Sequence, residues 1–448
     1  MMKKKYVLVG SGSRSRMFLN ALLKTHEASA ELCALCDLNL SRTGYHNAEI
    51  KKKYDKGPYP VYPAHEFDRM IAEKKPDTVI VTTIDRTHHK YIVRAMELGC
   101  DVISEKPMTV DEEKCLHIFK TMEKTRKKLT VTFNYRYSPR NTKVKEILAS
   151  GAIGDVVSVH FEWMLDTKHG ADYFRRWHRD KKNSGGLLVH KATHHFDLVN
   201  WWLGAVPVEV FAMGRLAFYG RENAENRGIH DFYTRCSGSK LAEKDNFALN
   251  MKDGAELEGL YLKAEHEDGY IRDQSVFGDG ISIEDTMSVM VRYNTKAVLT
   301  YSLNAFCPWE GYRISFNGTK GRLEMNIVER SYVSGSAFDQ NNPDFNMQAE
   351  KEEQEKKTEI ITLQKLWNKP QNITWEEGTG GHGGGDVVML DDVFSGAKND
   401  PFNRAAGIMD GAKSILIGIA GNRSIAAGKS IMVKDLFDLE DWQKRIAL

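Results

Sequence analysis

Cysteine is scarce. Six residues in a chain of 448 (Cys33, Cys36, Cys100, Cys115, Cys236, Cys307) are too sparse for a disulfide framework. Cys33 and Cys36 have C-x-x-C spacing in "ELCALCDL", but the stretch has a strand pattern and no second pair exists to complete a zinc site. They read as core thiols. An excess of charge is also lacking: 63 Lys and Arg against 61 Asp and Glu leave a formal net charge of +2. That balance gives no electrostatic ground for a nucleic-acid or membrane partner. Long apolar runs are missing too. The basic start "MMKKKYVLVGSGS" has an apolar run only from Tyr6 to Val9, whereas a signal-peptide core needs about 7–15 apolar residues and a membrane span about 20. A cytoplasmic protein with reduced thiols is expected.

What remains is ordinary soluble composition, 41% hydrophobic and 28% charged, with length for two domains. "KYVLVGSGSRSRMFLNALL" has the strand–turn–helix context in which G-x-G-x-x-G carries meaning. Gly10 allows a tight turn. Gly12 lets backbone approach a diphosphate at the positive end of the following helix. Ser15 replaces the third glycine. A second apolar run, "LCALCD", ends on Asp37, and an acid there accepts from the adenosine ribose hydroxyls and repels a 2′-phosphate. NAD is favoured over NADP.

Strands and helices go on alternating: "PDTVIVTT" (76–83), the helix "HHKYIVRAMELG" (88–99), "CDVISEKP" (100–107), the helix "TVDEEKCLHIFKTMEKT", and the strand "LTVTFNYRY". Such alternation predicts a doubly wound parallel sheet. Ligands of these sheets lie beyond the carboxyl ends of the strands, where Thr82, Thr83, Glu105, Lys106 and Asn134 fall.

With "SEKPMT" following a dinucleotide motif, the chain resembles the Gfo/Idh/MocA oxidoreductases, relatives of glucose–fructose oxidoreductase and inositol dehydrogenase. The resemblance runs through "VGSGSRSR", "TTIDRTHHKYIVRAMELGCDVISEKP", "NYRYSP", "SGGLLVHKATHHFDLVNWWLG", "EDTMSVMVRYNTKAVLTYS" and "YRISFNGTKGRLE". It implies a Rossmann domain over residues 1–133. It also implies a second α+β domain over 134–448, built on an open, largely antiparallel sheet. The sheet's other face would form a homo-oligomer contact, in a dimer or tetramer. The cofactor would be NAD and the partner a small sugar or sugar derivative. Gly10, Ser11, Gly12, Ser13, Arg14, Asp37, Thr82, Thr83, His88, Glu105, Lys106 and Asn134 would border the cofactor, with Lys106 also touching substrate beside the nicotinamide. An ammonium there suits a carbinol oxygen that gains negative charge as hydride leaves.

The stretch "GGLLVHKATHHFDLVNWW" (185–202) holds three histidines, a lysine and an aspartate. At 100° per residue His190, His194, Asp197 and Trp201 share one helical stripe and Ala192, Phe196, Val199 and Leu203 the opposite face. In the family pattern His194 matches a histidine suited to exchange the substrate hydroxyl proton. His190 stands where the family has an aspartate, and Ala192 replaces a glycine. Losing that carboxylate predicts a pocket short of negative charge beside Lys106 and His194, so both imidazoles tend to be neutral. Two consequences stay open: a substrate that supplies the charge, or a metal shared by His190 and His194 with His382 or Asp386 of "GTGGHGGGD". Acid/base work without a metal is preferred, and His195 reads as packed. Tyr135, Arg136, Trp163, Asp166, His178 and Lys191 are weaker pocket candidates.

Residues 214–280 read as an insertion in the second domain that carries specificity. The segment 350–360 reads as a solvated charged run, and the tail "GAKSILIGIAGNRSIAAGKSI" as a helix packed between domains. The function expected is hydride transfer between a bound nicotinamide and a hydroxyl or keto carbon of a sugar, with Lys106, His194 and His190 as catalytic residues. The alternatives are an NAD-dependent glycosidase or lyase, working by transient oxidation and β-elimination, and a cofactor-binding regulator without redox chemistry.

Overall fold

Short, fully apolar segments make the first sheet. β1 (Lys4–Val9), β2 (Ala30–Asp37), β3 (Val61–Pro63), β4 (Thr78–Val81), β5 (Asp101–Ser104) and β6 (Leu129–Val131) pair in parallel in the order β3-β2-β1-β4-β5-β6. Val79, Ile80 and Val81 are wholly buried, as strands covered by helices on both faces must be. This is the doubly wound dinucleotide-binding order, with its switch point between β1 and β4. The computed structural model describes residues 3–333, 359–378, 381–396 and 400–446. The charged run 350–360 therefore lies almost wholly outside the described residues.

The strand expected through "LTVTFNYRY" stops early. After Val131 the chain turns, Asn134 N–H donating to Thr132 O, and Asn134–Tyr137 forms a 3-10 helix. All four of its residues are buried, because the glycine-bearing loop around His382 packs over them.

The second sheet has nine strands. β7 (Val156–Asp166), β8 (Pro207–Arg215), β9 (Thr286–Tyr293), β10 (Val298–Cys307), β11 (Glu310–Gly318), β12 (Gly321–Arg330), β13 (Glu359–Lys365), β14 (Gln371–Ile373) and β15 (Ile431–Met432) lie in the order β14-β13-β12-β11-β7-β10-β9-β8-β15. All neighbours are antiparallel except β7 and β10. Burial alternates along β9, with Met287, Val289, Val291 and Tyr293 inward, which is the pattern of a sheet covered on one face.

Helix Thr193–Leu203 and helix Ile408–Ala427 cover that face. Gly411 of the latter abuts Met108 and Val131 of the first unit, and Gly418 abuts Leu188 of the second. The absence of side chains lets this helix press against both. No helix among the described residues is long and apolar enough to cross a membrane.

Candidate active site

The turn after β1 is held tightly from below. Gly10 has φ +94°, and a Cβ there would lie 2.5 Å from the Thr82–Thr83 backbone. Only glycine fits so close to the end of β4. Gly12 is open by contrast: a Cβ there would meet only the Tyr261 hydroxyl, at 3.7 Å. Ser15 does the work of the missing glycine. It is buried, donates 2.7 Å to Gly12 O, and lies 3.2 Å from His46 Nε2.

Around this turn stand the other cofactor candidates. Ser11 N–H and Asn39 N–H donate to the Asp37 carboxylate at the end of β2. Burial raises the Asp37 pKa against the pull of those bonds. Thr82 donates to Gly10 O, Thr83 accepts from Thr87, and Arg14 Nε donates 2.9 Å to Glu105 at the end of β5. A side-chain-free approach at Gly12, a helix start and an acid after β2 fit a dinucleotide's diphosphate and ribose.

His88, expected in the cofactor pocket, is buried with its Nδ1 2.7 Å from Pro107 O and its Nε2 2.9 Å from Thr83 O. Burial lowers its pKa, so the neutral ring donates to one of these carbonyls at a time. The ring staples together the loops after β4 and β5 and thereby fixes the loop that carries Lys106.

Lys106 Nζ donates 3.2 Å to His190 O, across from one sheet unit to the other. Burial pushes its ammonium down to about 8, while Asp85 and Glu105 hold it up. The histidine segment is not one continuous helix. Leu187–His190 forms a single turn, the chain breaks at Lys191–Ala192, and Thr193–Leu203 continues. Nor is it two-sided, since Thr193 to Trp202 are all buried. The break turns His190 and His194 toward different neighbours.

His190 Nδ1 lies 2.5 Å from Asp85 Oδ2, and its ring packs edge-on against His178 and Tyr173. Where the expectation was a pocket short of a carboxylate, Asp85 from the first unit places a carboxyl group beside His190. Burial raises its pKa well above the usual carboxylate value, and the Lys106 and Arg176 charges pull it back down. His194 packs 4.6 Å from the Tyr135 ring and 6.0 Å from the His382 ring. Its Nδ1 is buried without a hydrogen-bond partner among the described residues. Burial, then the Lys106 charge, holds both rings well below the ordinary histidine value, so both are neutral at pH 7.

The weaker candidates make contacts with one another and with the second sheet. His195 stacks on Trp163 at 4.0 Å and meets the Tyr301 hydroxyl at 2.7 Å. Trp163 also stacks on Tyr312, and Lys191 Nζ lies 4.8 Å over the Trp163 ring. Asp166 accepts from the Lys168 and His169 N–H groups and pairs with Arg330. Arg136 Nε donates 2.7 Å to Asp197, and its Nη2 reaches Asp410 at 2.9 Å. Asp197 is therefore an ion-pair anchor rather than a member of a catalytic stripe. Asn134 donates to Asp386, which also takes His382 Nδ1 at 3.0 Å. That pairing draws the glycine-rich loop over the end of β6. No group of three or more His, Cys, Asp or Glu among the described residues is placed to hold a metal ion.

Two contributors escape sequence reading. Asp85 carries a faint signal, an acid in the first turn of helix Asp85–Glu97, three residues before His88. Tyr261 carries none: its hydroxyl lies 3.0 Å from Ser13 N and 2.7 Å from Ser13 Oγ, from a segment 248 residues away. The insertion therefore reaches the first unit as well as the second.

Comparison with known proteins agrees with this geometry. Residues 4–133 match the oxidoreductase-family NAD-binding Rossmann fold model, and 145–433 the family's C-terminal alpha/beta domain. The Bacillus subtilis protein named "Putative oxidoreductase YteT" is 37% identical over 98% of this chain and 100% of its own. An inositol 2-dehydrogenase of Rhizobium meliloti is 31% identical over 33% of this chain and 42% of its own. A solved Agrobacterium radiobacter oxidoreductase, in complex with NAD+, L-tartaric acid and magnesium, superposes with TM-score 0.61 at 14% identity. That match covers 97% of this chain and 100% of the other. The chain belongs to the Gfo/Idh/MocA oxidoreductases, with an NAD-binding Rossmann domain joined to the family's C-terminal alpha/beta domain.

Proposed function

We propose that this oxidoreductase moves a hydride between bound NAD and a hydroxyl or keto carbon of a sugar, polyol or sugar derivative. What supports the reading is the Lys106 ammonium beyond the end of β5 on His190 O, the His190–Asp85 pair beside it, and a buried His194 that feels the Lys106 charge and whose Nδ1 has no hydrogen-bond partner among the described residues. The inositol dehydrogenase among the relatives makes hydroxyl-rich substrates the first to try.

In the oxidative direction the neutral His194 accepts the substrate hydroxyl proton. The Lys106 ammonium stabilises the alkoxide that develops on the same oxygen, in a site where burial strengthens the interaction. His190 orients Lys106 through its carbonyl oxygen, and Asp85 orients the His190 ring. Nicotinamide, when bound, supplies the hydride acceptor for oxidation and the donor for reduction.

Incubation with NAD and a panel of polyols, aldoses and uronates tests this by NADH formation. Net NADH with at least one member is expected. Cleavage of a glycoside without net NADH would replace the reading with transient oxidation and β-elimination.

A further inference from the structure

The insertion between β8 and β9 lies across the adenosine end of the cofactor groove, and its contacts there concern charge. Helix Ala255–Leu260 and the turns to Asp268 build a small core of Leu249, Met251, Leu257, Leu260 and Tyr261. From that core three groups reach the first unit. Tyr261 binds Ser13 at the diphosphate turn. Glu267 accepts from Leu40 N–H at 2.5 Å, from Ser41 N–H at 2.8 Å and from the Ser41 hydroxyl. Asp268 pairs with Arg42 at 2.7 Å.

Leu40, Ser41 and Arg42 form the first turn of helix Leu40–Tyr54, directly after Asp37 at the end of β2. This corner of a doubly wound sheet faces the adenosine ribose, where a 2′-phosphate projects and where a nearby arginine accommodates it. Two backbone N–H groups, a hydroxyl and a guanidinium are the donors such an anion needs. Here the chain's own carboxylates hold all of them. Arg42 is further confined, its Nε donating 3.3 Å to Leu260 O and its guanidinium lying against the Tyr261 and Tyr270 rings.

We propose that Glu267 is a cofactor-selecting residue: its carboxylate fills the anion cradle at Leu40–Ser41 and, with Asp37, excludes the 2′-phosphate of NADP. The inference rests on the dinucleotide reading above and deepens it. Asp37 at the end of β2 repels the phosphate from one side; Glu267 denies it backbone donors already arranged for an anion. Selectivity is thereby built by an unfavourable element against the wrong cofactor as well as by favourable interactions with the right one.

Fluorescence titration of the full-length protein with NADH and with NADPH tests this, using wild type, Glu267→Gln and Glu267→Ala. Gln removes the charge and keeps an acceptor; Ala empties the cradle. Both variants are expected to tighten NADPH relative to NADH by about tenfold, the worth of one charge-assisted hydrogen bond formed or one repulsion removed. The NADH affinity itself is expected to stay within about threefold, which also reports an intact fold. An NADH-to-NADPH ratio unchanged in both variants overturns the role of Glu267 and leaves the dinucleotide reading standing. Failure of the wild-type chain to bind either dinucleotide overturns both.

Discussion

His190 Nδ1 lies 2.5 Å from Asp85 Oδ2, and that contact joins the two sheet units at the point where Lys106 emerges. A carboxyl group three residues before His88 thus stands where the histidine segment has none, its pKa raised by burial and drawn down by the Lys106 charge. Asp85 also faces Lys106, whose ammonium it helps to keep charged.

Replacing Asp85 by Asn tests that relation. The amide keeps the size and removes the charge that raises the Lys106 pKa. The basic limb of the kcat profile is expected to move to lower pH, with kcat at neutral pH reduced about tenfold. A merely structural Asp85 would leave the position of the limb unchanged.

The limb itself belongs to Lys106. The ammonium stabilises developing negative charge only while protonated, below about 8, so the oxidative rate is expected to fall as pH rises through that value. In Lys106→Arg the limb is expected to vanish from the accessible range, since a guanidinium stays charged, at a lower rate from altered reach. Lys106→Met is expected to lose about 10²–10³ in kcat, as for removal of one charge-stabilising donor. His194 is already neutral well below its ordinary pKa, so no acidic limb near 6.5 is expected from it.

The Arg136–Asp197–Asp410 cluster carries a stability prediction. Arg136→Met removes the charge that holds down the Asp197 pKa, already raised by burial to about 7. The carboxyl is then expected to protonate near neutral pH, and the loss to grow with rising pH toward about 3–5 kcal/mol, the cost of a buried unpaired charge. The double variant Arg136→Met, Asp197→Leu is expected to recover most of the loss. Denaturant melts of the three proteins measure it, and an unrecovered double variant would mean that packing rather than charge is responsible.

Much of the fold was legible because its signals are local. The glycine turn, Asp37 and the alternation of apolar runs with amphipathic helices mark the first sheet, since each strand must be apolar on both faces. Lys106 is legible by the same logic, as a cation at a strand end. The break at Lys191–Ala192 was not, because helical periodicity carries straight through it and tertiary packing decides where the turn closes. The surroundings of His88 are not legible for a related reason: the carbonyls of Thr83 and Pro107 that flank its ring come together only in the folded sheet. Tyr261 and Glu267 lie beyond any local pattern, since their partners are more than 200 residues away.

The central claim is that Lys106 and His194 act on one carbinol oxygen, and a double-mutant cycle on the chemical step tests it most directly. Rates of NADH formation from a turned-over polyol would be compared for wild type, Lys106→Met, His194→Ala and the double variant, with NADH affinity measured alongside. Each single change is expected to lower kcat by about 10²–10⁴, the double to lose little more than the worse single, and NADH affinity to hold. Fully additive losses, or losses explained by weakened NADH binding, would contradict it.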